Sequence, residues 1–479
     1  MKTFFVDMHC HTALKPFGQS FESNAGENSA NSDDKNSIWH RNAPSGLTAV
    51  VQDLLGIAKF TQADFYSLVK GNCKLICASM YPIEKGFFNN KLGSGGVSRV
   101  VDNFITGVGG KRVKDVQQAN DYFAGLKKEY GFYKQLNGTQ VTIDGEAYVY
   151  KLIAKYEEIE KYLTDNPQTE NVLFVILTIE GMHVLNSNLS VPASKADFLK
   201  NLAEMKKWDY TPFFVSVCHH FNNYLCGHAK SLFDIVGSEI DQSDAIDTGF
   251  TDLGWKVVRA MLDNTGGQKR IYPDVKHMSI KGRLEYYAFL EKEYANKIPI
   301  IVSHGAANGM RSHEETVIDA KLGNTFFDED INFFDNEIIL LAKSGGIMGL
   351  QMDEHRIASK EAIADIAGEI LLKDVRTMRS KLVWNQIQYI AELLDEAHLP
   401  AWDCLAIGSD SDGIINPING FLTEETLPDL FDYVWEYADA YMKSDRAKSL
   451  NPENRLVTAD IMNKVFHLNA KAFLKKWFV

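Results

Sequence analysis

Short apolar segments recur along the chain, and nearly all of them end in polar or ionisable residues. They span residues 2–11, 73–81, 172–181, 211–220, 271–277, 298–304, 345–352 and 404–410. Each is rich in β-branched and aromatic residues and almost continuously apolar, which is typical of strands buried on both faces of a parallel sheet. The pattern therefore predicts eight buried strands with polar carboxyl ends.

Amphipathic stretches lie between these strands. Apolar residues at helical spacing predict helices over 47–60, 251–266, 279–294, 335–345 and 373–397. Eight strands that alternate with helices favour an α/β fold of the (β/α)8 TIM barrel type, with a doubly wound open sheet as the alternative. The polar strand ends also favour the barrel, because the carboxyl ends of its strands converge on the face that carries the active site.

Three stretches exceed what a minimal barrel needs. Residues 18–46 are rich in Ser, Asn, Asp and Gly and predict a long loop after the first strand. Residues 118–170 predict a helical insertion, and residues 309–334 predict an irregular segment. No domain boundary is visible, so we expect residues 1–479 to form one barrel with these insertions capping its catalytic face.

Composition and charge narrow the class of function. The 479 residues carry a net charge of −13 without a basic stripe, which argues against nucleic-acid binding. The apolar segments are too short to span a membrane, and the first residues are too short an apolar run for a signal peptide. We therefore expect a cytoplasmic protein, with a removed leader or a periplasmic location left open. Six cysteines are too sparse for a disulfide scaffold. We expect a small-molecule substrate, and a homodimer is left open.

His9 and His11 lie two residues apart at the end of the first strand. Side chains alternate along a strand, so both can bind one ion from the same side. Glu180, His277 and His304 close three further strands in the same way. Burying such groups is costly unless they are paired, and a carboxylate can bridge two metal ions. These five residues therefore predict a two-metal site, with separately satisfied core histidines as the alternative.

Two other residues are predicted to act in catalysis without binding metal. Asp410 ends the last strand, where a carboxylate can take the proton of the attacking water and pass it to a leaving amine. An Asx-turn is the alternative in this segment, and it fits Asp412 better. His219 and His220 end the fourth strand, and alternation predicts that only one of them faces the barrel mouth. We assign His219 to a hydrogen bond with the developing oxyanion.

In their order along the chain, these motifs resemble the membrane (renal) dipeptidase family, a branch of the amidohydrolase-like metal-dependent barrels. The resemblance covers nearly the whole chain outside the insertions. The segments that carry it are DMHCHT (7–12), TIEGMHVL (178–185), FVSVCHHFNN (214–223), GFTDLGWKVVRAML (249–262), DVKHMS (274–279), PIIVSHGAA (299–307), SGGIMGLQM (344–352), IGSDSDG (407–413) and IMNKVFHLNAKAFLKKW (461–477).

The resemblance implies a metallopeptidase that hydrolyses the amide bond of dipeptides with a hydroxide bound to two zinc ions, often with a D-residue at the C-terminal position. His219 matches the family's substrate-binding histidine, and Asp410 matches its proton-transfer aspartate. The zinc ligands that it implies are His9 and His11 for the first ion, Glu180 as the bridge, and His277 and His304 for the second ion.

Two departures from the family's pattern affect this reading. His9 and His11 stand where the family usually has His-x-Asp, so the charge of the site rises by one unit. Ile331 stands where the family has an arginine that holds the carboxylate of the dipeptide. Arg311 and Arg356 are candidate substrate-binding replacements. The alternatives are an amidohydrolase for a cyclic amide, lactone or N-acyl amino acid, and a non-catalytic barrel that keeps metal for stability.

Overall fold

All eight predicted apolar segments form strands of one closed parallel β-barrel. The computed structural model describes residues 4–44, 60–88, 106–167, 171–190, 195–232, 240–315, 322, 325–366, 368–369 and 371–479. The described strands are β1 (Phe5–Cys10), β2 (Cys73–Met80), β3 (Val141–Ile143), β4 (Glu146–Leu152), β5 (Val172–Ile179), β6 (Phe214–Ser216), β7 (Tyr272–Asp274), β8 (Ile301–Gly305), β9 (Ile347–Leu350) and β10 (Leu405–Ile407).

The barrel runs in the order β1, β2, β5, β6, β7, β8, β9, β10 and closes from β10 to β1. The pairing of β2 with β5 is the longest, with six partnered residues from Leu75 and Phe174 to Met80 and Ile179. Every residue of β1 and β5 is buried. The TIM barrel is confirmed, and the open sheet is excluded because β1 pairs with β10.

Helices surround this barrel. The described α-helices are α1 (Leu14–Ser23), α2 (Phe65–Lys70), α3 (Lys85–Phe88), α4 (Gly110–Gln118), α5 (Tyr122–Gln135), α6 (Glu157–Asp165), α7 (Lys195–Met205), α8 (Asp252–Leu262), α9 (Ile280–Tyr294), α10 (Asp335–Lys343), α11 (Glu354–Ile357), α12 (Lys360–Ala364), α13 (Leu372–Glu396), α14 (Leu427–Met442), α15 (Asp445–Lys448), α16 (Thr458–Asn463) and α17 (Asn469–Trp477).

Four of the predicted helices are confirmed as α8, α9, α10 and α13. Two of them begin at residues that favour helix starts. The side chain of Thr251 accepts a hydrogen bond from Gly254 N–H at the start of α8, and Ser279 accepts one from Gly282 N–H at the start of α9. The helix predicted over 47–60 lies outside the described residues except for Phe60.

The second insertion was predicted to be helical, but it contains a β-hairpin between helices α5 and α6. β3 and β4 pair antiparallel, and β4 pairs in parallel with the first half of β5. In β4, buried Tyr148, Tyr150 and Leu152 alternate with more exposed residues. This alternation with a period of two is a strand signal that the high Lys and Glu content of the segment obscured.

The first insertion also differs from the predicted loop. Helix α1 occupies its beginning, and residues 24–44 then run without a helix or strand. Trp39 is buried in this segment, where its ring packs against Phe65 and Tyr150 with centroid distances of 5.5 and 6.2 Å. Aromatic burial therefore fixes the segment against α2 and the hairpin.

Two buried aspartates hold the strand ends that carry the site. Asp7 in β1 accepts hydrogen bonds from His9 N–H and from both the backbone N–H and the hydroxyl of Ser409. Asp274 in β7 repeats the arrangement, with Lys276 N–H and Ser303 N–H as donors. Each carboxylate thus ties a strand to its neighbour just below the barrel mouth.

All six cysteines are buried and none forms a disulfide, as predicted. Among the described residues, no helix is long and apolar enough to cross a membrane.

Candidate active site

The five predicted ligands come together at the carboxyl end of the barrel. The described residues contain three groups of potential metal ligands whose atoms lie within 4.8 Å of one another; Glu180 belongs to two of them, and the third consists of His219, His220 and His277. The members of the first group are His9, His11, Glu180 and Asp410. Those of the second are Glu180, His277 and His304. Glu180 is shared, which is the position that the sequence analysis assigned to a bridging carboxylate.

The distances show how closely the imidazoles surround this carboxylate. His11 Nε2 lies 2.8 Å from Glu180 Oε2, and His277 Nε2 lies 3.0 Å from Glu180 Oε1. His304 Nε2 is 3.4 Å from Oε1, and His9 Nε2 is 3.7 Å from the same oxygen. Each carboxylate oxygen therefore faces at least one histidine of its own group.

The donor set fits zinc. His9 Nε2 and His11 Nε2 are 3.2 Å apart, and His277 Nε2 and His304 Nε2 are 3.3 Å apart. Two nitrogens bound at about 2.0–2.1 Å to a tetrahedral zinc ion are about 3.4 Å from each other. Each pair of nitrogens thus has the separation of two ligands on one ion, and imidazole with carboxylate is a zinc ligand set.

The electrostatics of the site also suit cations. Burial lowers the pKa of His9 and His304 well below the usual value, and it lowers that of His277 to about 3. The neutral form thus favoured is the one that binds metal. Burial acts in the same direction on His11, but the negative charge of Glu180 outweighs it and raises the pKa of His11 to about 9. The space beside Glu180 therefore stabilises a positive charge.

The backbone is constrained at three site residues. His277 and Asp410 have φ angles of 65° and 60°, in the left-handed region that costs energy for residues other than glycine. Gly181, directly after Glu180, has a φ of 88°, and a Cβ there would lie 2.4 Å from His183 Nδ1. Only glycine fits this turn, because it leaves room for the imidazole of His183.

Asp410 points into the first group of ligands. Its Oδ1 lies 3.5 Å from His11 Nε2, and its Oδ2 accepts a hydrogen bond of 2.9 Å from Gln351 Nε2. Burial and the charge of Glu180 raise the pKa of Asp410 well above its usual range. Asp410 is thus a carboxyl group that can hold a proton beside the ligands.

Asp412 has a different position, two residues later in the same turn. Its carboxylate accepts hydrogen bonds from Gln62 N–H and Ala63 N–H at 3.0 and 2.9 Å. It also pairs with the ammonium of Lys15 at 2.6 Å. Asp412 therefore binds neighbouring segments together instead of facing the ligands, in agreement with a structural role.

Both histidines of the pair 219–220 face the cavity, so the prediction that only one does is wrong. β6 ends at Ser216, and the following residues no longer alternate as they would in a strand. The rings of His219 and His220 lie with their centroids 3.5 Å apart, and both line the cavity. His219 Nε2 is 3.5 Å from Glu180 Oε2, which places it at the edge of the ligand cluster.

Glu84 orients His219, and the sequence analysis did not identify it. This buried carboxylate follows β2 and accepts a hydrogen bond of 2.8 Å from His219 Nδ1. It also accepts from His220 N–H and Phe221 N–H at 3.3 and 3.2 Å. Burial would raise the pKa of Glu84, but the facing imidazoles of His183 and His219 lower it to about 2. An ionised carboxylate only accepts, so the proton of His219 is held on Nδ1.

We expect Glu84→Gln to misplace His219 while leaving metal binding intact. The amide can present its NH2 group to Nδ1 and favours the other tautomer of the imidazole. A fall in kcat of about 10- to 100-fold is expected, in the range seen for partners that orient active-site groups. Steady-state kinetics with metal analysis checks this. Zinc lost in parallel with kcat would contradict the assignment.

One cavity opens above the ligands. The residues that line it are Phe87, Glu180, His219, His220, Ser231, Leu232, Lys276, His277, Ile331, Gln351, Asp353, Arg356, Asp410, Gly413, Ile414 and Ile415. Among the described residues of the three insertions, only Ile331, in the third, lines the cavity. None of the described residues of the first two insertions lines the cavity itself. The loops after β6, β9 and β10 supply most of the rim instead.

The two arginines proposed as substrate-binding replacements differ in position. Arg356 lines the cavity, donates a hydrogen bond to Ser231 O and lies over the ring of Phe327 at 5.5 Å. Arg311 is 61% exposed, pairs with Glu315 at 3.3 Å and is not among the cavity-lining residues. Arg311 therefore does not fit the role that the sequence analysis gave it.

Comparisons with known proteins agree with the fold. No protein-family model and no curated protein sequence matches the chain. Among solved structures, the dipeptidase AC, a metallopeptidase of family M19, has 13% identity and a TM-score of 0.52, with 100% of this chain and 99% of that chain covered. A metallopeptidase from Rhodobacter sphaeroides, liganded with a phosphinate mimic of L-Ala-D-Ala, has 13% identity and a TM-score of 0.53, with 99% and 100% covered. Over its full length, this chain therefore has the barrel fold of the M19 dipeptidases.

Proposed function

We propose that this protein is a zinc-dependent dipeptidase that hydrolyses an amide bond at the carboxyl face of the barrel. The observation that carries the proposal is the pair of ligand groups that share Glu180. Two such groups match a site for two adjacent ions, and a barrel with this fold is used by metallopeptidases whose ligands include a dipeptide mimic.

The metal and the protein would divide the chemistry. Two zinc ions would acidify a water molecule and polarise the scissile carbonyl. Asp410 would accept the proton of the attacking water and deliver it to the leaving amine nitrogen as the C–N bond breaks. Its contact with Gln351 Nε2 at 2.9 Å keeps the carboxyl directed at the ligand cluster.

His219 would stabilise the oxyanion that develops on the carbonyl. Its Nδ1 is held by Glu84 at 2.8 Å, so the ring edge with Nε2 is fixed toward the cavity. To donate from Nε2, the ring must carry a proton there as well as on Nδ1, and a donor aimed at the developing charge stabilises the transition state more than the ground state. Glu84 lies on the far side of the ring from Nε2, where it holds the orientation of the imidazole.

The cavity suits a small amide that carries both apolar and anionic groups. Ile331, Ile414 and Ile415 supply apolar surface, and Arg356 supplies a positive charge. A dipeptide offers a side chain for the apolar surface and a terminal carboxylate for the cation. These features support a dipeptide as the substrate class.

A second candidate function follows from Ile331. This isoleucine is 1% exposed and lines the cavity at the position where the family's arginine is expected. A site that lacks this arginine also accommodates substrates without a terminal carboxylate, such as a cyclic amide or a lactone. An N-acyl amino acid resembles a dipeptide in having a terminal carboxylate, but it lacks the free amino group of a dipeptide.

A substrate panel distinguishes these functions. The purified protein, loaded with zinc and checked by metal analysis, would be assayed with L,L- and L,D-dipeptides, N-acyl amino acids, cyclic amides and lactones. We expect about two zinc ions per chain and kcat/KM for dipeptides well above the other classes. Bound zinc well below one ion per chain would refute the metal site. Higher rates with cyclic amides or lactones would favour the second candidate.

A further inference from the structure

A buried lysine faces the same cavity and is not explained by metal binding or proton transfer. Lys276 directly precedes His277 at the end of β7, is only 1% exposed and lines the cavity. Among the described residues, its ammonium makes one hydrogen bond, to Gln351 Oε1 at the long distance of 3.4 Å. An ammonium has three N–H donors, and a buried charge is costly unless it is paired. The cavity is where a further acceptor can reach it.

The residues that line the cavity indicate which kind of acceptor would pair with Lys276. Where the family's arginine is expected, the apolar side chain of Ile331 offers no partner to an anion. Arg356 lines the cavity on another loop, so Lys276 and Arg356 together bring two positive charges to it. Such a surface lowers the cost of removing an anion from water.

The spacing along the site suits a substrate carboxylate. Gln351 links Lys276 Nζ, at 3.4 Å, to Asp410 Oδ2, at 2.9 Å, so the ammonium lies one amide group away from the proposed proton carrier. In a dipeptide, the terminal carboxyl lies one residue beyond the scissile carbonyl, and one extended residue spans about 3.3–3.6 Å. A dipeptide whose carbonyl lies beside Asp410 would extend its carboxylate by about this length along the cavity that Lys276 also lines.

We propose that Lys276 is a specificity-determining residue that binds the terminal carboxylate of the substrate, with Arg356 as a second cation, in place of the missing arginine. This inference rests on the proposed dipeptidase function. It assigns the carboxylate to the residues just after β7 rather than to the third insertion, of whose described residues only Ile331 lines the cavity. Lys276 acts on binding and not on bond cleavage.

The test compares L-Ala-D-Ala with its C-terminal carboxamide, which lacks the negative charge. We expect wild-type protein to prefer the free carboxylate. In Lys276→Met, kcat/KM for the dipeptide should fall by about 10- to 100-fold, mainly through KM, while the carboxamide changes little. Lys276→Arg should restore most of the preference. Lys464→Met, at a lysine that pairs with Asp403 away from the cavity, is the matched control.

Metal analysis and direct binding separate the possible failures. Each variant must retain the zinc content of the wild type, because Lys276 adjoins a proposed ligand. An equal loss for both substrates, or no wild-type preference for the carboxylate, would overturn the inference while leaving the dipeptidase function intact. Calorimetry with a phosphinate mimic of L-Ala-D-Ala needs no turnover. Equal affinity of wild type and Lys276→Met, or no binding to either, would overturn the inference even if the protein hydrolyses no dipeptide.

Discussion

Replacing Glu180 with glutamine is expected to remove most of the bound zinc and the hydrolytic activity with it. Glu180 joins the group of His9, His11 and Asp410 to the group of His277 and His304, with oxygens 2.8 Å from His11 Nε2 and 3.0 Å from His277 Nε2. The neutral amide keeps the shape but loses the charge that balances two cations. Removing even an indirect partner of a metal ligand lowers affinity about 10- to 100-fold, so we expect a loss of more than about 100-fold here.

Two measurements check this prediction independently. Metal analysis should show well under two zinc ions per chain in Glu180→Gln, and the variant should lose the rise in melting temperature that zinc gives the apo wild type. Asp64→Asn is a suitable control, since Asp64 is another buried carboxylate but serves as the cap of α2 by accepting from Ser67 N–H. Full zinc occupancy in Glu180→Gln would rule out the bridging role.

Asp410→Asn is expected to abolish proton transfer while leaving substrate binding nearly unchanged. Positioned acid–base groups contribute about 100- to 10,000-fold, so kcat should fall by that factor with little change in KM. Asparagine can still take the hydrogen bond from Gln351 Nε2, so the local structure should persist. Steady-state kinetics with metal analysis separates a lost proton carrier from a lost metal.

The neighbouring aspartate provides the control. Asp412→Asn removes the ion pair with Lys15 and should lower the melting temperature, but kcat should stay within a few-fold of the wild type because Asp412 contacts residues 62–63 and not the ligands. An Asp410→Asn variant with unchanged activity toward every substrate would favour a barrel that keeps metal only for stability.

The predictions that succeeded rest on local patterns. A strand that is buried on both faces, such as β5, needs an unbroken apolar run. His9, Glu180 and His304 stand at or just after the ends of such strands and are buried, although burying an ionisable group is costly unless it is paired. In a parallel barrel these ends must converge, so the order of strands was enough to predict that the five residues meet. Spacing by two in β1 already places His9 and His11 side by side.

The predictions that failed concern segments where no period holds. The alternation assumed for His219 and His220 does not apply, because β6 ends at Ser216. The first insertion was predicted as a loop, but it begins inside helix α1, and Trp39 in it packs against Phe65 and Tyr150. The β3–β4 hairpin was missed because its polar residues resemble an exposed helix.

The roles of other residues could not be predicted from the sequence, because they depend on partners that are distant along the chain. Glu84 meets His219 across 135 positions, and Lys276 meets Gln351 across 75. The residues that flank each of them in the sequence give no signal of a functional role. Glu84 stands in an ordinary loop, and a lysine beside His277 could equally point to solvent. Their importance comes from burial, which makes an unpaired charge costly and so requires the partner.

The sequence by itself thus determined the barrel and the convergence of His9, His11, Glu180, His277 and His304. Each strand can be recognised from its own residues, and the order of the strands follows from their order along the chain. The tertiary structure alone decided which charges line the cavity. It placed Ile331 in the cavity wall, left Arg311 exposed, and brought Arg356 and the buried Lys276 to the site. These choices depend on how loops between distant strands pack, and packing is a property of the whole fold and not of any segment.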